Sequence, residues 1–309
     1  MALLLKPASE PAEAWIAQFR RLMPELELRV WPEVGDPDEV EYLLVAPLPA
    51  GALAQFRHLK LIASLPAGVD HLLRDPGLPA GVPVTRCVNT DGDGMMTEFV
   101  VMNVLRHHRR LPEYHALQAA AEWRKLPQPT ARERRVGIMG MGSFGAPIAT
   151  RLRGFEFEVA GWTRRPRRLA GVACYTGADG LPAFLARTDI LVCLLPLTAE
   201  TRGLIDARAL ALLPAGAQLI NCGRGELVVE ADLLAALESG HIAAASLDVF
   251  ESEPLPPASP LWRHPRVTVT PHVASVTRAA SAARIMAENI RRLAEGETLL
   301  NLVDRDAGY

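Results

Sequence analysis

Three short stretches of this 309-residue chain each place a chemically useful side chain just past an apolar run: Arg224 in LINCGRGELV, Glu253 in LDVFESEPLP and His272 in VTVTPHVAS. The ends of parallel strands are where α/β folds gather their ligands. Brought together there, a guanidinium would clamp a carboxylate and an imidazole would give a proton to a carbonyl oxygen. A carboxylate there could tune that proton donor, and the three together are what reducing a 2-oxo acid requires. Taken singly, each has an ordinary reading: a loop salt bridge, a solvated turn residue, a satisfied histidine before a helix.

A fourth stretch, VGIMGMGSFGAPIATRLRG, sets Gly140, Gly142 and Gly145 in G-x-G-x-x-G spacing between an apolar strand and a helical pattern. The first glycine permits the tight turn, the second lets a pyrophosphate approach the backbone, and the third lets helix pack closely on strand. The free N–H groups of the helix start would hold the phosphates. A bare glycine pattern is weak, and another α/β nucleotide binder such as a methyltransferase fold is its main rival. The next strand ends in WTRRPRR, where an NAD-binding unit would carry an acid for the ribose hydroxyls. Thr163 stands there instead, eighteen residues beyond Gly145, followed by Arg164 and Arg165. Two guanidiniums and a hydroxyl would accept a 2′-phosphate, so the sequence predicts NADPH in preference to NADH. The bland alternative is a solvated basic loop.

These residues need a frame of strands. Apolar runs at 3–5, 42–46, 59–65 and 82–88 alternate with helical or turn segments, and a second series follows at 136–139, 158–162, 189–194, 217–221, 243–247 and 267–270. That alternation is the α/β signature, and the near-continuous apolar runs predict parallel sheets covered on both faces. Helix is expected from Thr97 to Trp123, interrupted or bent at Pro112, over 231–240 with Gly240 as its stop, and from Thr277 to Gly296.

Composition narrows the function class. Net charge is −2, from 33 basic against 35 acidic residues, so there is no global field for nucleic acid or an anionic membrane. Only three of the basic residues are lysines, which makes any single Arg less diagnostic. The four cysteines are scattered and lack metal-ligand spacing, so neither a disulfide framework nor a metal site is expected. No apolar stretch reaches the ~18 residues of a membrane span, and MALLLKPASEPAEAW is too short in its apolar run for a signal peptide. A cytoplasmic protein is expected.

The chain resembles the D-isomer-specific 2-hydroxyacid dehydrogenases, and within them the glyoxylate/hydroxypyruvate reductase A group. The resemblance rests on PAGVDHLL, GMGSFG, LLPLTAETRGLI, NCGRGELVVEADLLAAL, LDVFESEPLPPASPLWRHPRVTVTPHVA and VDRDAGY. It implies two Rossmann-like α/β domains with parallel sheets: a flavodoxin-like substrate domain of residues 1–98 plus 275–309, and a doubly wound nucleotide-binding domain of residues 99–274. It implies catalysis by Arg224, Glu253 and His272, with the substrate carboxylate held by Arg224 and by the backbone N–H groups of Ala67, Gly68 and Val69. By the same resemblance the cofactor meets Gly140, Met141, Gly142, Ser143, Phe144 and Gly145, Thr163 to Arg165, Leu195, Pro196, Cys222, Gly223 and Asp248. His272 would act as the acid that protonates a small 2-oxo acid during its reduction. The segment from Arg106 to Trp123 resembles the family's dimerisation arm, which implies a homodimer.

Two departures bear on the substrate. Ala46 replaces a Trp of the group's pattern, which would admit a larger 2-oxo acid, and Pro66 precedes the carboxylate loop. Two other readings stay open: a dinucleotide-sensing regulatory protein with vestigial turnover, against which three intact catalytic positions argue, and an NAD-linked dehydrogenase of the same family, against which the missing ribose acid argues.

Overall fold

A computed structural model describes residues 1–8, 10–88 and 94–309 of the chain. By its internal contacts the chain divides into two compact units, Met1–Asp93 with Val276–Tyr309, and Gly94–Ser275.

Among its described residues, the first unit carries a five-stranded parallel sheet. Its strands are β1 (Ala2–Lys6), β2 (Glu27–Val30), β3 (Val40–Val45), β4 (Leu61–Ser64) and β5 (Val84–Arg86), in the order β2-β1-β3-β4-β5. That is the flavodoxin-like order. Successive side chains of a strand face opposite sides. Leu3, Leu5, Leu44 and Leu61 accordingly enter one apolar cluster, and Leu4, Leu43, Val45 and Ile62 enter another. Both faces are covered, which is why the strands read as unbroken apolar runs. Trp15 and Phe19 of α1 (Ala12–Leu22) pack on the first face with Ala282, Ala283, Met286 and Ile290 of α9 (Ala279–Glu295), and each fully buried large side chain contributes ~1.5–3 kcal/mol. A short helix, α2 (Asp70–Leu73), follows β4. Beyond α9, the buried Asn289 pins Leu300 through both its amide atoms, and residues 301–303 then lie along β5.

The second unit is built on a seven-stranded parallel sheet: β6 (Arg135–Met139), β7 (Glu158–Thr163), β8 (Ala173–Thr176), β9 (Ile190–Cys193), β10 (Ala217–Asn221), β11 (Ile242–Leu247) and β12 (Val267–Val269). The order is β12-β11-β10-β9-β6-β7-β8, so the chain starts in mid-sheet at β6 and winds outwards both ways, a doubly wound sheet with its switch point between β6 and β9. Helices α3 (Met95–His108), α4 (Leu111–Ala119), α5 (Gly145–Gly154), α6 (Gly177–Ala186), α7 (Ala207–Leu212) and α8 (Glu230–Glu238) accompany it. Helix α3 adds Met96, Val100 and Val104 to the apolar cluster of one face. Its His107 Nε2 lies 2.9 Å from Ser246 Oγ of β11, and its Arg106 donates to the Thr268 hydroxyl of β12.

Three local features differ from the sequence expectation. Strands β2 and β8 were not foreseen, since ELRV and ACYT are only half-buried sheet members with weak apolar runs. The helix expected from Thr97 to Trp123, interrupted or bent at Pro112, is two helices broken at Arg110, whose φ of 58° is left-handed, so the interruption comes just before Pro112. Pro112 instead opens α4, where a missing N–H costs nothing. The helix stops at Ala119, and Trp123 lies in the extended segment beyond it, 99% exposed.

Candidate active site

One row of paired residues crosses the large sheet: Trp162, Met139, Cys193, Asn221, Leu247 and Val269 are register partners in succession. Just past this row, at the C-terminal strand ends, come Thr163–Arg165, the glycine loop, Leu195–Pro196, Arg224, Glu253 and His272 in spatial order. The sequence-predicted residues of the second unit are therefore brought to one edge, with the nucleotide motifs around the switch point and the reactive side chains on the β10–β12 side.

On the nucleotide side the three glycines differ as their spacing demands. Gly140 turns the chain with φ +97°, which an L side chain rarely adopts. A Cβ on Gly145, the first residue of α5, would lie 2.0 Å from the Gly140 carbonyl oxygen. At Gly142, by contrast, a Cβ would meet nothing within 4 Å, and Gly142 and Ser143 are exposed, so the bend leaves an open cradle beside the α5 N-terminus. Pyrophosphate fits such a cradle. Thr163 ends β7 with its hydroxyl donating to the Arg165 carbonyl at 2.6 Å, and Arg164 and Arg165 are exposed there. The two guanidiniums have the chemistry for a 2′-phosphate, with the Thr163 hydroxyl bracing their loop, and no carboxylate stands here for a bare ribose. Arg167, which the sequence reading did not single out, donates to the Met141 carbonyl and so ties the arginine loop to the glycine loop. Leu195 and Pro196 follow β9, and Thr201 Oγ1 donates to the Pro196 carbonyl at 2.7 Å.

On the reactive side, His272 Nδ1 lies 2.8 Å from Glu253 Oε2. The other Glu253 oxygen accepts the Phe250 N–H at 3.0 Å. Burial alone would raise the Glu253 pKa, but the hydrogen bonds from His272 and Phe250, with the charges of His272 and Arg224, outweigh it and hold the carboxyl below its ordinary range. Arg224 sits between two glycines that close packing requires. A Cβ on Gly223 would come 2.8 Å from the Leu195 carbonyl oxygen, and one on Gly225 would fall 1.8 Å from the Phe250 carbonyl carbon.

Two further residues shape this edge. Asn221, buried at the end of β10, donates from Nδ2 to the Arg224 carbonyl at 2.9 Å and accepts the Gly223 N–H at 3.1 Å, fixing the arginine's loop. Asp248 is buried, and its carboxylate accepts Thr270 Oγ1 at 2.6 Å and the N–H groups of Val273 and Ala274 at 2.9 and 2.8 Å. Its carbonyl accepts the His272 N–H at 2.8 Å. His272 is thereby held at φ 54°, a left-handed backbone that few non-glycine residues adopt. Asp248 thus holds the histidine's loop. Cys222 is buried, and burial, the Asp248 carboxylate and Cys193 push its thiol well above the ordinary value.

In the first unit, Ala67, Gly68 and Val69 form the loop between β4 and α2. Ala46, just past β3, is buried in the apolar cluster with Leu44, Leu65 and Cys87. Among the described residues, no group of His, Cys, Asp or Glu side chains is arranged to hold a metal ion, and no helix is long and apolar enough to cross a membrane.

Residues 101–274 match the family model for the D-isomer specific 2-hydroxyacid dehydrogenase NAD binding domain. The chain belongs to the D-isomer specific 2-hydroxyacid dehydrogenase family. Among these dehydrogenases it is 43% identical over 303 residues to a glyoxylate/hydroxypyruvate reductase A of Serratia proteamaculans, with 96% of each chain covered. Its structure is similar to that of a family member from Xanthobacter autotrophicus Py2 solved in complex with NADPH and MES, at 46% identity and a TM-score of 0.95, covering 100% of this chain and 99% of that one. It is also similar to an NADPH-dependent glyoxylate/hydroxypyruvate reductase from Sinorhizobium meliloti solved with NADP and sulfate, at 40% identity and a TM-score of 0.93 over both full chains. The family is thus one of two-domain α/β dehydrogenases, as both parallel sheets here show.

Proposed function

We propose that this chain reduces small 2-oxo acids, glyoxylate and hydroxypyruvate among them, to 2-hydroxy acids, with NADPH preferred over NADH. The observation that carries the chemistry is the 2.8 Å contact of His272 Nδ1 with Glu253. It occupies one ring nitrogen and leaves Nε2 as the atom that donates a proton to the substrate carbonyl oxygen. Glu253 keeps the ring oriented. Arg224 binds the substrate carboxylate and polarises the carbonyl, and the backbone N–H groups of Ala67, Gly68 and Val69 are assigned to the same carboxylate. Bound NADPH would supply the hydride that the carbonyl carbon accepts.

The relatives' names support the substrate class, and the two solved relatives with bound NADPH or NADP support the cofactor. Gly140 to Gly145 would cradle the pyrophosphate, and Thr163, Arg164 and Arg165 would seat the 2′-phosphate. Steady-state kinetics with glyoxylate, hydroxypyruvate, pyruvate and phenylpyruvate, each with NADPH and NADH, test the reading. Efficient reduction of the two small acids with NADPH is expected. Equal efficiency with NADH would remove the cofactor assignment, and a preference for phenylpyruvate would favour the larger-substrate reading that Ala46 raised.

A homodimer is part of the same reading. Leu111 of α4 is 42% exposed and Trp123 is almost wholly so, an apolar surface that a second copy would cover. A cytoplasmic location suits the four cysteines, all of them free.

A further inference from the structure

The loop assigned to the substrate carboxylate has a support that the family reading does not name. In a trans peptide the N–H points opposite the carbonyl of the preceding residue, so the direction of three successive N–H groups is set by what holds the three carbonyls before them. For Ala67, Gly68 and Val69 those carbonyls belong to Pro66, Ala67 and Gly68. Each is tethered. Ser64 Oγ lies 2.8 Å from the Pro66 oxygen and 3.1 Å from the Gly68 oxygen, its single proton shared between them, and Arg86 Nη1 donates to the Ala67 oxygen at 3.4 Å. One residue earlier, the Thr277 hydroxyl donates to the Leu65 carbonyl at 2.8 Å. No described residue's carbonyl accepts from the N–H of Ala67, Gly68 or Val69.

We propose that Ser64 and Arg86 are positioning residues for substrate binding: by holding the carbonyls of residues 66–68 to one side, they turn the N–H groups of residues 67–69 to the other as a nest for a carboxylate. Successive N–H groups aimed at one point form an anion-binding concavity without any charged side chain touching the anion. Donation to a carbonyl also polarises its peptide, so the Arg86 charge strengthens the Gly68 N–H as a donor. Ser64 is fully buried at the end of β4 and Arg86 ends β5, so both supports stand on the sheet rather than in the loop. Pro66 fits the same device, since it needs no N–H and presents only its carbonyl to Ser64. Residues 301–303 lie along β5, and Arg305 holds the Pro79 carbonyl at 3.0 Å, so the chain's last stretch backs the strand that carries Arg86.

The inference rests on the assignment of the 67–69 loop to the substrate carboxylate. A carboxylate held equally in ground and transition states affects KM and leaves kcat alone. Ser64→Ala and Arg86→Met should each raise KM for glyoxylate about tenfold, with kcat within about twofold and the Kd for NADPH unchanged. Arg86→Lys, which retains the charge, should recover most of the loss. An unchanged KM in both variants, or a parallel fall in NADPH affinity and thermal stability that Arg86→Lys does not repair, overturns the positioning role while the reductase reading stands. Wild-type protein that reduces none of the 2-oxo acids overturns both. Should Ser64→Ala fail to fold, the Arg86→Met and Arg86→Lys pair decides the matter alone.

Discussion

Glu253 Oε2 stands 2.8 Å from His272 Nδ1, each reached from the end of one of two neighbouring strands, β11 and β12. The pair links two loops that share no local sequence, and it couples a carboxylate held below its ordinary range to the ring proposed as the proton donor.

Removing that carboxylate should free the ring. Glu253→Gln keeps a side-chain oxygen that can accept from Nδ1, and Glu253→Ala removes the 2.8 Å partner altogether. The Ala variant should lower kcat by about tenfold or more with the Kd for NADPH unchanged, and the Gln variant should fall between it and the wild type. An unchanged kcat in the Ala variant would count against the coupling.

His272→Ala should reduce kcat by 10²–10⁴-fold, the usual contribution of a positioned acid, while NADPH binding followed by fluorescence titration stays intact. Near-normal turnover in this variant would refute the assignment.

The arginine loop should separate phosphate recognition from loop support. Replacing Arg164 or Arg165 by Gln is expected to cost NADPH roughly tenfold to a hundredfold in kcat/KM and leave NADH unchanged. Arg167→Ala, which unties the Met141 carbonyl, should weaken both cofactors alike. A selective loss of NADPH in the Arg167 variant would make that residue a phosphate ligand instead.

Two glycines of one motif should respond in opposite ways. Gly142→Ala places its Cβ in open space, so the melting temperature should hold while NADPH affinity drops. Gly145→Ala drives a Cβ against the Gly140 carbonyl and should cost about 1–3 kcal/mol of stability. Thermal melts with and without NADPH separate the two.

Acid should find His107. Burial first, then the Arg106 and Arg134 charges, depress its pKa to about 3, so the folded state keeps it neutral. Unfolded, it binds a proton near its ordinary ~6.5. Its contribution is complete above that value and is lost as pH falls towards 3, about 1 kcal/mol by pH 5.5. His107→Gln, which can still bond Ser246, should flatten the decline of melting temperature between pH 7 and 5 relative to the wild type.

Much of the fold was legible because the parallel strands are covered on both faces, which writes them as apolar runs: LLL, YLLVA and VGIM all read directly. ELRV and ACYT did not, since β2 and β8 are edge strands whose residues are only partly covered. At the candidate site, Arg224, Glu253 and His272 were visible as reactive types after apolar runs. The supports were not. Asn221, Thr270 and Arg167 act through backbone carbonyls or a neighbour's carboxylate that only the fold brings near, and the left-handed backbone of His272 leaves no mark in residue type. Arg110 likewise broke a helix where Pro112 offered the louder signal.

The row of strand ends has a consequence for how such a protein can change. In the proposed reading coenzyme choice rests on β7, on one flank of β6, and proton donation on β11 and β12, on the far side of β9 and β10. The two traits share no strand and no loop. A lineage, or an engineer, can therefore exchange one coenzyme for another by editing WTRRPRR while the acid, its carboxylate and their buried aspartate stay untouched.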